Sequence, residues 1–198
     1  MRAQAMTAQL CDQVMFEGVS CDLVCWTGGE LFDPRVYGVN PVSYLTSLNR
    51  GWLAHYRVER RLSLEELMLE HEVVGANDKL TRHGRAPAIN GVEPDLKKEW
   101  PCNGHYRELN LPIAFGGGML IGDGDAIERF GRGSPPAWAY RRLRELVFID
   151  GELIEAIDHS TIAAALRERD ALRHDADRVM GYPAAEEWRA AFCYDYGF

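Results

Sequence analysis

At 198 residues, with 46% apolar and 26% charged side chains, the chain has the composition of one globular domain, which excludes a fibre, a disordered tail or a disulfide-stapled miniprotein. Its formal charge of −8 argues against charge-driven binding to nucleic acid or to an anionic membrane. No apolar run approaches the ~18 residues of a membrane span. Residues 1–7 lack the apolar core of a signal peptide, and five irregularly spaced cysteines read as reduced thiols, so a cytoplasmic location is the expectation.

In chain order, the first signal is Glu17-Gly18 between apolar runs, and Asp150-Gly151 repeats it near the other end. An acidic-Gly pair suits the two positive-φ positions of a tight turn, which predicts hairpins over about 13–25 and 143–157. Residues 27–41 read as a loop punctuated by Gly and Pro. Trp52, Ala54, Tyr56 and Val58 alternate with Leu53, His55 and Arg57, which predicts a strand. Residues 62–74 carry two readings. Ser63 and Glu66 fit a capping box, which predicts a helix. Leu62 and Leu64 instead continue the alternation, and a bulge lets Leu67 and Leu69 rejoin their face. The strand reading is favoured.

Residues 75–106 are polar and rich in Gly and Pro, which marks a surface insertion or a functional loop. Leu109, Leu111 and Ile113 alternate as a strand, with Pro112 marking an edge or a strand end. Gly116, Gly117 and Gly118 predict a turn into a strand at 119–121, and residues 122–125 another turn. The pair Pro135-Pro136 opens a short helix. Ser160 is the expected N-cap of the clearest helix, whose stripe of Ile162, Leu166, Leu172, Ala176 and Val179 ends at Gly181 and Pro183. A second short helix is expected over 183–192. The tail alternates Phe192, Tyr194, Tyr196 and Phe198, which would share one face of an added strand. The sum is a single α+β domain over 1–198. A β-rich body spans 9–160 and a helical C-terminal extension spans 160–198. The body is a mainly antiparallel twisted sheet or partly open β-barrel.

Residues 12–18, 49–56, 111–122 and 144–153 resemble segments of a family of uncharacterised bacterial proteins. The resemblance covers about residues 9–160, with gaps. It implies a β-rich fold and a strand at 62–69, and no activity or catalytic residue comes with it.

Few residues point to chemistry. Cys102 and His105 have the residue types and spacing of a thiol-imidazole pair, with no orienting carboxylate or oxyanion donor beside them. Cys21 and Cys25, four apart on a strand, would share a face about 13 Å apart, too far for one zinc. Asp123, Asp125 and Glu128 lack the full calcium-loop pattern. Gly116, Gly117 and Gly118 lack the Lys-Ser/Thr and helix of a phosphate loop, and read as a place where backbones approach closely. Asp158, His159 and Ser160 are consecutive and cannot converge as a triad. Arg141, Arg142 and Arg144 read as a solvated face. No metal or cofactor is expected.

The aromatics Trp100, Tyr106, Trp138, Tyr194, Tyr196 and Phe198 are the binding candidates, because Trp and Tyr join apolar area to a hydrogen-bonding tip. For the tail, docking on its own domain is favoured over recognition of another chain. The expected function is a non-catalytic binding or interaction protein of immunity or regulatory type, with a protein partner or a second copy of the chain. The alternative is a small-molecule binder or enzyme with a pocket near residues 100–106.

Overall fold

The computed structural model describes residues 9–43, 45–74, 80–81, 86–95, 104–124, 135–174 and 190–197. Its strands are β1 (Gln13–Phe16), β2 (Val19–Thr27), β3 (Trp52–Val58), β4 (Leu62–Leu69), β5 (Val73–Val74), β6 (Leu80–Thr81), β7 (Gly104–Tyr106), β8 (Leu111–Pro112), β9 (Gly117–Asp123), β10 (Arg142–Ile149) and β11 (Glu152–Asp158). Among the described residues an α-helix, α1 (Ser160–His174), follows them. The main sheet runs β11-β10-β9-β2-β1-β3-β4-β7, with β8 also on β4. Its pairs are antiparallel except β1 with β3, so the sheet is mixed. β5 and β6 form a separate two-stranded ribbon.

Both acidic-Gly turns form as the sequence predicts. Glu17 and Gly18 have φ of 51° and 76°, and Asp150 and Gly151 have 48° and 75°. Such a turn matches the right-handed twist of its strands. Residues 62–69 are a strand, and the bulge is there. His55 faces Glu66 while Tyr56 faces Leu64, so Glu65 is the extra residue. This keeps Leu62, Leu64, Leu67 and Leu69 all buried on one face. The capping-box helix is overturned: the Ser63 hydroxyl donates to Glu65 Oε1 at 3.1 Å.

The sheet curls around a core that includes Val14, Phe16, Leu23, Tyr56, Leu64, Leu67, Phe115, Ile121 and Phe148. The tips of the β3-β4 and β10-β11 hairpins meet at one corner. Leu153 N–H donates to the Arg60 carbonyl at 2.9 Å, and Leu62 N–H to that of Gly151 at 2.8 Å. The seam is local, and the sheet is open rather than a closed barrel.

Several expectations are corrected. The glycine run is no turn before a strand: Gly117 and Gly118 are already in β9, and Gly122 is inside it rather than in the next turn. Backbones do approach there. A Cβ on Gly28 would lie 2.7 Å from Gly117 Cα, closer than real Cβ atoms come. Part of the polar stretch 75–106 is core, since Ala86, Ile89 and Tyr106 are buried. A bulge between Leu23 and Cys25 turns Cys25 to the face opposite Cys21.

Ser160 does not cap α1. Its hydroxyl accepts from Leu143 N–H at 3.2 Å, while Asp158 Oδ1 accepts from Ser160 N–H at 2.8 Å. The first helical carbonyl is that of His159, which accepts from Ala163 N–H. The lower part of the expected helical stripe, Leu172 apart, holds Leu166 buried and Ile162 half-buried. Its upper part and most of the second helix lie outside the described residues. Residues 190–192 are turns, and 190–197 contain no strand.

Candidate functional site

The described residues contain three polar constellations. The first is buried under the outer face of β2, β9 and β10. Cys25, Leu120 and Glu145 stand in register across these strands. Glu145 is fully buried. Its carboxylate accepts from His159 Nε2 at 3.0 Å, from the Cys193 N–H at 3.0 Å and from the Tyr196 hydroxyl at 3.0 Å. A buried carboxylate needs such donors, because desolvation is costly unless its oxygens are satisfied. Phe192 packs between the His159 and Tyr196 rings, at 4.5 and 5.7 Å. Burial, then Glu145, pushes the Cys25 thiol up to about 12, so it stays protonated near neutrality. These donors on Glu145 all come from the chain itself, and the network acts as a dock for the tail.

The second lies on the outer face of β3, β4 and β7. Glu66 Oε2 is 3.1 Å from His105 Nε2 and 3.8 Å from His55 Nδ1. Burial holds the His55 imidazole below its ordinary range, against the pull of Glu66. No group of three metal-ligating side chains able to hold an ion occurs among the described residues.

The third is a cleft of about 430 Å³ beside the start of β1, within the size range of small-ligand pockets. Its apolar walls include Leu10, Val24, Trp26 and Leu48, and its polar floor is Asp12 with Arg50. The local chain explains the shape. Leu10 N–H donates to the Ser47 carbonyl at 2.7 Å, and Gln9 side-chain atoms bond Thr46 and Asn49, which straps residues 9–10 to the 45–50 turn. Gly51, with φ of 83°, ends that turn against residue 42. A Cβ there would lie 2.8 Å from the Val42 backbone.

This turn aims Arg50 back at β1. Its Nη2 pairs with Asp12 Oδ1, and its Nε–H donates to the Trp52 carbonyl at 2.9 Å. Its guanidinium also lies 5.2 Å from the Trp52 ring centre. Asp12 Oδ1 takes a second bond, from Ala54 N–H at 2.7 Å. Burial pushes the Asp12 carboxyl up, opposed chiefly by Arg50 and the Ala54 N–H. Burial, then Asp22 and Asp12, also raises the neighbouring Cys11 thiol. The cleft therefore offers a fixed ion pair and an exposed indole, Trp26 being 42% exposed. It offers no activated thiol.

The structure places five of the eight candidate residues named from the sequence. Tyr106 is fully buried and its hydroxyl donates to the Pro87 carbonyl at 2.7 Å. Trp138 is buried under α1, and its carbonyl accepts from Arg167 Nη1 at 2.8 Å. Tyr194 and Tyr196 sit over Gly118, where a Cβ would be 2.6 Å from Tyr194 Cδ2, so the tail docks on its own domain. Arg142 and Arg144 pair with Asp123 and Glu17 on the surface, as a solvated face should. His105 is held by Glu66. Trp100, Cys102 and Phe198 lie outside the described residues.

Sequence reading missed both Asp12 with Arg50 and the role of Glu145. No local pattern links residues 38 apart, as Asp12 and Arg50 are. Glu145 did carry a signal: in a strand it shares a face with Leu143 and Val147, an acid interrupting apolar positions. Scans of protein-family models, of curated proteins and of solved structures found no match.

Proposed function

We propose that the chain is a non-catalytic binding protein whose ligand occupies the Asp12-Arg50 cleft. One observation carries this reading: a cleft of about 430 Å³ joins an apolar wall to one fixed polar pair, the usual make-up of a specific binding pocket. The raised Cys11 thiol speaks against nucleophilic chemistry there. The bonds of the Cys193 N–H and the Tyr196 hydroxyl to Glu145 favour the cleft over the tail as the binding site.

The test is ligand-detected and protein-detected NMR with a library of fragments of one or two rings. Binders that shift the Trp26 indole N–H and lose affinity in Trp26→Ala support the cleft. A library without a binder there, at millimolar concentration, would refute it.

A second reading, self-association, rests on a separate observation. β11 is the end strand of the sheet, its edge beyond the corner seam at Leu153 is not paired with another named strand among the described residues, and Ile149 and Ile154 are 63% and 55% exposed. Such an edge is a template for pairing with another strand. Light scattering of the pure protein decides it: a dimer that Ile154→Lys converts to monomer would establish edge pairing, and a monomer throughout would dismiss it.

A further inference from the structure

Resting on the cleft reading, we infer that the cleft selects small organic acids, and that Arg50 receives their carboxylate. A guanidinium carries five N–H donors in a rigid fork. Two of Arg50's have partners: Nε–H on the Trp52 carbonyl and one Nη2–H on Asp12. The other three have none among the described residues, and Arg50 is part-exposed and lines the cleft. The free edge is held in place from behind by those two bonds and by the Trp52 ring. A planar, preorganised fork is the group that recognises a carboxylate with two parallel bonds.

The surroundings narrow the ligand further. Asp12 already cancels the Arg50 charge, and the chain as a whole carries −8. Long-range attraction for anions is therefore absent, and recognition comes from short directional bonds. A dianion such as a phosphate monoester would meet Asp12 with twice the repulsion of a carboxylate. Trp26, Leu10 and Leu48 then call for an apolar or aromatic body next to the acid. The ligand class is a monocarboxylate on a body of one or two rings.

The experiment measures affinities by calorimetry and NMR for benzoate, phenylacetate, cinnamate and 1-naphthylacetate, each with its primary amide, and for phenyl phosphate. The expected result is that the best acid binds about tenfold tighter than its amide, the usual gain from a charge-assisted pair. Arg50→Gln should erase that preference. Because this variant leaves buried Asp12 without its cation, Asp12→Asn with Arg50→Gln is the folded control, checked by its melting temperature. It should bind acid and amide equally.

Equal affinity of acid and amide in the native protein, with Trp26 still shifted, overturns the acid assignment and leaves the cleft reading standing. Tighter binding of phenyl phosphate than of benzoate overturns the carboxylate assignment in favour of a phosphate site. Binding that leaves Trp26 unshifted, or no binding of these acids at millimolar concentration, overturns the acid assignment, and the fragment library then decides the cleft reading.

Discussion

The two halves of the sheet's outer face are built on opposite principles. Over β2, β9 and β10 the face is roofed by residues 137–139, α1 and the tail, around Trp138, Leu143, Ala163 and Leu166. Over β1, β3, β4 and β7 the face shows Gln13, His55, Glu66 and Arg57 at its surface. Glycine makes the first half possible. Gly118 and Gly122 give β9 a bare backbone, on which Tyr194, Tyr196 and Tyr140 lie directly. Both halves contain a glutamate beside a histidine, and the roof changes what that pair does. Glu145 with His159 is a buried tie-point, whereas Glu66 with His105 and His55 is a partly exposed cluster.

The sharpest way to break this comparison is Glu145→Ala. It strands the His159, Cys193 and Tyr196 donors in the roofed half. Loss of one member of a buried charged network costs about 3–5 kcal/mol, which urea denaturation would read as a large fall in midpoint. A loss under 1 kcal/mol would mean that the roof is not held by Glu145.

Gly122→Ala comes next. Its Cβ would lie 2.6 Å from Tyr140 Cδ1, and that ring is pinned by its hydroxyl bond to Asp22 at 3.0 Å. Overpacking of this kind costs about 1–3 kcal/mol. An unchanged melting temperature would show that the Tyr140 roof yields freely.

Acid should act next, through the open half and its margin. Burial holds both His55 and His71 below the ordinary 6.5. His71 Nδ1 accepts from the Asn40 N–H at 3.0 Å, which requires an unprotonated nitrogen. Unfolding therefore takes up protons. This stability is present above about pH 6.5 and is lost as pH falls through the lowered folded values. Denaturation midpoints should drop from pH 7 to pH 5, and less so in His71→Asn. A midpoint flat over that range would contradict the buried, neutral state of these rings.

The smallest effect is expected from Glu66→Gln on the open face, within about 0.5–1 kcal/mol, because surface pairs are screened by water. A loss comparable to that of Glu145→Ala would mean that the second half is covered in solution by something else.

What the sequence disclosed follows from how local each device is. The two acidic-Gly turns announced their hairpins because turn chemistry is encoded in adjacent residues. The bulge in β4 was legible because four leucines had to reach one face. In the sequence the glycines of β9 point only to turns and close approaches. A strand glycine that serves as a seat for an aromatic ring looks the same in sequence as one that bends the chain. Ser160 failed as a cap because Leu143, 17 residues away, claims its hydroxyl. The cleft was illegible altogether, since its floor joins residues brought together by the parallel pairing of β1 with β3.

That parallel pairing has a further consequence. Among the described residues, strand pairing joins the halves of the sheet through β1, four residues long, and backbone bonds join them again at the corner where the two hairpin tips touch. Neither half can shed the other without parting these seams and exposing the shared core. The molecule should thus behave as one cooperative unit, in which amide protons of Val14 and Phe16 exchange with solvent only when the whole chain opens.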